Sequence, residues 1–98
     1  MTVLSFLDLH VWLDAVDSAP TIIHDTLAAT RARPGNLGVE VTVDVDDATH
    51  FVLVEKWESI EADDAYRAWR LTPEGASSLR SIVASPPSLT RTEVHDDI

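Results

Sequence analysis

Residues 39–57 read VEVTVDVDDATHFVLVEKW, and the fold follows from this stretch. Val39, Val41, Val43 and Val45 alternate with Glu40, Thr42 and Asp44. A period of two with one apolar and one polar set predicts a half-buried β-strand. Asp46-Asp47 supplies a short turn, and His50 to Trp57 returns as a second extended run. Two strands joined by so short a link pair antiparallel as a hairpin.

Working outward, Pro20 suits the first turn of a helix, where a missing N–H costs nothing. Ile23, Leu27 and Thr30 follow at helical spacing, and Pro34-Gly35 stops that helix. Before it, Val3 to Leu13 is apolar and partly β-branched and reads as a strand. After the hairpin, Ser59 is an N-cap candidate, with Glu61 favourably placed in the first turn. Ala62, Ala65, Tyr66 and Trp69 then share one helical stripe. Thr72-Pro73-Glu74 predicts a further helix carrying Ala76, Leu79, Ile82 and Val83, ended by Pro86-Pro87. Ser88 to Val94 gives the last strand, and His95 to Ile98 a polar tail.

The order β-α-β-β-α-β, with short connections and right-handed crossovers, predicts an α+β, ferredoxin-like βαββαβ sandwich with a four-stranded antiparallel sheet. Ninety-eight residues make a single domain spanning 1–98. Seventeen acidic against seven basic residues give a formal charge of −10. That field repels phosphate backbones and anionic headgroups, which argues against nucleic-acid or membrane partners. There is no cysteine, hence no disulfide, thiolate nucleophile or thiolate metal ligand. No basic n-region with an apolar h-region opens the chain, so a cytoplasmic location is expected.

Helices on one side leave the other sheet face bare. Phe51, Val52, Leu53 and Val54 are apolar without alternation, and Leu4, Phe6 and Trp12 oppose Leu7, Leu9 and Val11 across the first strand. Continuous apolar strands imply burial on both faces, and a second copy laying its sheet on this one is the simplest cover. A homodimer is therefore expected.

The segment Arg31 to Trp69, RARPGNLGVEVTVDVDDATHFVLVEKWESIEADDAYRAW, resembles the central signature of the antibiotic biosynthesis monooxygenase family. The shared features are a helix ending in Pro-Gly, Leu-Gly before an alternating strand, an Asp-rich turn, a strand ending Glu55-x-Trp57, and a helix bearing aromatic residues. The resemblance implies a dimeric α+β barrel and, for part of the family, cofactor-independent oxygenation of anthrone- or hydroquinone-like compounds. Many members carry a histidine where this chain has Tyr66. The haem-degrading branch also wants a histidine after the second tryptophan, and none occurs from Glu55 to Val94, which sets that activity aside.

Oxygenation of that kind needs a base, polar groups to hold developing charge, and flat apolar walls; it implies no cofactor and no metal. Asp8, His10 and Trp12 alternate onto one face of the first strand, and Glu55 and Trp57 share a face of the third. If both sets faced the helices, Tyr66 and Trp69 would cover them. His10 would then be the base, Asp8 or Glu55 its orienting carboxylate, Tyr66 a phenolic donor, and Trp57, Trp69 and Trp12 the walls around a small aromatic molecule. A one-residue shift in the first strand sends Asp8 and His10 to the opposite face and into the dimer interface. Each residue also has a structural role open to it: Glu55 pairing with Arg67 or Arg91, His10 as a half-exposed strand residue, the tryptophans as core or interface anchors. His24, His50 and His95 are scattered without metal-ligand spacing and read as surface residues. Two functions remain: an oxidoreductase of the monooxygenase type, and a non-enzymatic dimeric ligand-binding or accessory domain.

Overall fold

The hairpin is formed by β2 (Asn36–Asp44) and β3 (Asp47–Trp57), paired antiparallel with Val39 opposite Glu55, Val41 opposite Leu53 and Val43 opposite Phe51. In the computed structural model, which describes residues 1–98, β1 (Val3–His10) lies on the other side of β3 and β4 (Ser88–Glu93) pairs with β1. The sheet order is β2-β3-β1-β4, antiparallel throughout. Helices α1 (Ala19–Arg31) and α2 (Ile60–Arg70) complete the βαββαβ order of the ferredoxin-like fold. No helix is long and apolar enough to cross a membrane.

Alternation sorts the sheet into two faces. Val3, Ser5, Leu9 and Val11 of the first strand and its extension are buried, as are Phe51, Leu53, Glu55 and Trp57 of β3; this is the helix-facing side. Leu9, Phe51 and Leu53 pack there against Ile23 and Leu27 of α1. A smaller cluster joins Val3 and Trp57 to Tyr66 of α2, whose ring centroid is 5.0 Å from that of Trp57. The open face carries Leu4, Phe6, Val52 and Val54, none covered by a helix. The valine alternation of β2 reaches the core only at Val39: Val41 and Val43 stay exposed along the sheet edge, and Val45 belongs to the turn.

Two elements differ from expectation. β1 ends at His10 rather than Leu13, because Leu13–Ala15 turns into a short 3-10 helix. The helix expected from Thr72 to Val83 is absent; only Ser78–Ser81 forms a 3-10 turn. Its apolar residues are used otherwise: Val83 bridges to Val11, the Trp12 N–H donates to the Ile82 carbonyl, and the Ala84 N–H donates to that of His10. Backbone hydrogen bonding to the end of β1 thus replaces a helix that Gly75 and three serines support poorly.

Helix α2 starts where expected. The Ser59 Oγ accepts from the Ala62 N–H at 3.2 Å, Glu61 and Asp63 sit in the first turn, and Arg67 and Arg70 in the last, each charge complementing the helix dipole. Gly35 makes the turn from α1 into β2 with φ +83°, and a methyl group there would meet the Ala62 Cβ at 2.5 Å. Both strain and collision oppose any side chain. Gly35→Ala is expected to destabilise the protein by about 1–3 kcal/mol, read as a lower urea midpoint with unchanged slope; an unchanged midpoint would contradict this role for Gly35.

Candidate functional site

A cavity of about 250 Å³ lies between the helix-facing side of the sheet, the two helices and the segment that leads from α2 to β4. Leu7, Leu53 and Glu55 form its floor; Thr26 and Leu27 come from α1, Tyr66, Arg67 and Arg70 from α2, and Leu79, Arg80 and Val83 from the connection. It falls below the roughly 300–1,000 Å³ typical of drug-sized ligands, so it suits a compact molecule. Its apolar walls are aliphatic with one aromatic ring, and its charged groups are Glu55 of β3, Arg67 and Arg70 of α2 and Arg80 of the connection.

Glu55 is 1% exposed. The Arg67 Nη2 donates to its Oε1 at 2.7 Å and the Trp57 Nε1 donates to the same oxygen at 3.2 Å, while Oε2 accepts no hydrogen bond. Burial pushes the Glu55 carboxyl above its ordinary value, against the pull of Arg67. Arg67 also faces Asp63, which is wholly buried: its Nε is 2.9 Å from Asp63 Oδ1, though not aligned as a hydrogen bond. The Ser5 Oγ donates to Asp63 Oδ2 at 2.7 Å, and Arg91 closes the group from β4 at 3.6 Å. Two buried carboxylates are thus held by one guanidinium between them, with a second at the rim.

The Tyr66 hydroxyl lies 2.8 Å from the Thr30 Oγ1 and accepts from the Arg70 Nε at 2.8 Å. Arg70 spends its other donors on the carbonyls of Thr26 and Gly75 and on the Thr30 hydroxyl. It ties α1, α2 and the following loop together without meeting a carboxylate. Gly75 permits this closeness, since a Cβ there would stand 2.0 Å from the Trp69 carbonyl oxygen.

A second polar group occupies the open face. His50 Nε2 is 2.7 Å from Asp8 Oδ1 and His50 Nδ1 is 2.9 Å from Asp44 Oδ2, so each ring nitrogen meets a carboxylate. The His10 ring stacks on that of His50 at 4.5 Å, nearly parallel. The two carboxylates raise the His50 pKa, Asp44 having the larger effect, and the same contact holds the Asp44 carboxyl below its usual value.

The structure therefore separates the residues singled out from the sequence. Glu55 and Tyr66 line the cavity. Trp57 lies behind it as a core residue that hydrogen-bonds Glu55, and Trp69 borders a neighbouring groove with Ile22 and Glu74. Asp8 and His10 share a face of β1, but the open one, across the sheet from Glu55; Trp12 lies past the strand end, 55% exposed. A pocket combining both sets is not formed within one chain. Arg67, Arg70, Asp63 and Ser5 were not singled out, although Glu55 pairing with Arg67 was among the structural roles considered. The i,i+4 spacing of Asp63 with Arg67 and of Tyr66 with Arg70 on α2 is the signal that could have found all but Ser5.

A four-stranded antiparallel sheet with two helices over one face defines a ferredoxin-like α+β architecture, here with a small cavity beneath the helices. The antibiotic biosynthesis monooxygenase family matches residues 20–75, more than half of the chain, and the chain belongs to that family. Among solved structures, Rv0793 from Mycobacterium tuberculosis is similar at 19% identity over 99% of this chain and 98% of that one, with a TM-score of 0.79. An antibiotic biosynthesis monooxygenase is similar at 18% identity over 95% and 98%, TM-score 0.77. A conserved protein from Methanosarcina mazei reaches TM-score 0.79 at 9% identity over 94% and 91%. No curated protein matches in sequence. At these identities the structural likeness establishes the fold.

The His50 cluster has a pH consequence. A histidine whose native pKa is raised contributes stability that is full below the unfolded value of about 6.5 and is lost as pH rises through the native value. The urea midpoint is expected to fall on going from pH 6 upward, and His50→Gln to flatten that part of the profile. An identical slope in the variant would show that this cluster does not carry the dependence.

Proposed function

We propose that the chain is a cofactor-independent monooxygenase acting on a small planar aromatic or quinone-type compound held in the cavity beneath α1 and α2. Family and fold support the coarser statement, a monooxygenase-like or ligand-binding domain. The observation that carries the finer one is Glu55: a buried carboxylate of raised pKa, with Oε2 unpartnered, in a cavity that also offers aliphatic walls and the Tyr66 ring. Such a group is suited to take a proton from a phenol or an acidic ring CH2. The resulting anion reduces oxygen; one oxygen atom enters the product as a carbonyl and the other leaves as water. Arg67 and the Tyr66–Arg70 pair stand where negative charge would build up.

In this reading the base is Glu55 rather than His10. Asp8 and His10 belong to the open face, where Phe6 lies opposite Val54 and Asp8 opposite Val52. That apolar stripe favours a homodimer with the two open faces in contact.

Oxygen uptake with a metal-free panel of anthrones and hydroquinones tests the activity. Wild type is expected to exceed the uncatalysed rate, Glu55→Gln to lose about 10²–10⁴-fold, and His10→Ala to retain turnover. No turnover on any member, together with thermal stabilisation by the same compounds, would favour the ligand-binding alternative. In sedimentation, wild type is expected to run as a dimer and Val54→Asp as a monomer; a monomeric wild type would remove the face-to-face assembly.

A further inference from the structure

The protein carries six arginines and one lysine against seventeen acidic residues, yet three of the six arginines line the one cavity beneath the helices. Five of the six are committed to protein partners. Arg31 donates to the Val39 carbonyl, Arg33 lies over the Trp69 ring, Arg67 pairs with Glu55 and Asp63, Arg70 is spent on neutral oxygens, and Arg91 pairs with Asp63 and Asp64. Arg80 has none: it makes no hydrogen bond, ion pair or aromatic contact, and it stands exposed at the cavity wall.

The charge balance inside the cavity follows. Glu55 is the only carboxylate among the lining residues, and its ion-pair partner is Arg67, which it shares with Asp63 behind the wall. Arg70 meets only neutral acceptors and Arg80 meets nothing, so neither has a carboxylate partner where it lines the cavity. Asp25 and Glu74 border the adjoining groove, but neither pairs with an arginine. An arginine with all its donors free, beside aliphatic walls, is a partner for a carboxylate, which its planar fork can grip through two oxygens.

We infer that the cavity selects a planar aromatic carboxylate, with Arg80 at the mouth as the ion-pair partner of the carboxylate and Arg70 adding fixed positive charge behind it. This rests on the cavity being the ligand site, and it narrows the substrate class to aromatic acids. The ring lies among Leu7, Leu53 and Leu79, so the acidic group stays near solvent while the reactive ring carbon lies near Glu55. Arg80 is a binding and specificity residue and has no part in the proton transfer.

Calorimetric titration of the full chain with 2-naphthoate and its uncharged counterpart 2-naphthamide tests this, in wild type and in Arg80→Gln. Arg80 is exposed and unpartnered, so its substitution leaves the packing intact. Wild type is expected to bind the carboxylate about tenfold tighter or more, with the preference shrinking as salt rises. Arg80→Gln should lose that preference while its affinity for the amide stays unchanged. Equal affinities in wild type overturn the anion selectivity and leave the cavity as a ligand site. A preference that persists in Arg80→Gln overturns the assignment to Arg80. Failure of wild type to bind either compound overturns the inference, while the functional reading beneath it stands or falls on the oxygen-uptake panel.

Discussion

The arrangement on which the rest depends is the Arg67 guanidinium between Glu55 and Asp63. Burying one carboxylate is costly, and burying two side by side is sustainable only with a cation between them. Arg67 reaches back from α2 to β3 to supply it, with Ser5 and Arg91 satisfying the far side of Asp63. The constraint fixes where α2 sits over the sheet. Tyr66, the preceding residue, is then pressed against Trp57, and its hydroxyl is brought to Thr30 on α1. The space left between these anchored elements is the cavity.

A sheet has two faces, and strand parity distributes the chemistry between them. In β1 the odd-numbered residues Ser5 and Leu7 serve the cavity side, while Asp8 and the stacked His10 serve the open side. In β3 Glu55 and His50 divide in the same way. Two polar clusters therefore stand on opposite faces of a single layer, offset along the strands with Ser5 opposite Glu55 and His10 opposite His50, and neither can borrow a residue from the other. A one-residue slip of β1 would send Asp8 and His10 to the cavity side and Ser5 and Leu7 to the open side, which is why its register carries so much of the functional reading.

The hairpin, the element order and the bare apolar face were legible because each rests on periodicity, which the chain displays over many residues. The same holds for Tyr66, placed by its stripe on α2. What periodicity could not settle was parity in β1, where apolar residues occupy both faces and give no sign of which is inward. The stretch from Thr72 to Val83 misled for a related reason: its apolar spacing suits a helix, but Ile82 and Val83 serve a bridge to the end of β1 that only the tertiary structure supplies. Arg67 and Arg70 were hidden by a general expectation that charges on an amphipathic helix face water. Here they face inward because buried acceptors await them. Trp57 and Trp69 illustrate the converse, aromatic residues that look like ligand walls and instead pack behind and beside the cavity.

The acidic surface and the arginine-lined cavity carry opposite signs, and distance reconciles them. At physiological ionic strength the Debye length is about 8 Å, so exposed carboxylates further away than that are largely screened. A ligand in the cavity is instead close to Arg67, Arg70 and Arg80, in a setting partly closed to water where charges act more strongly. The local sign can therefore oppose the global one. A net charge of −10 opposes the approach of a polyanion, because a long chain of phosphates must meet much of the surface. A compact ligand meets only the cavity. The proposed anionic ring and an acidic surface are therefore compatible in one molecule.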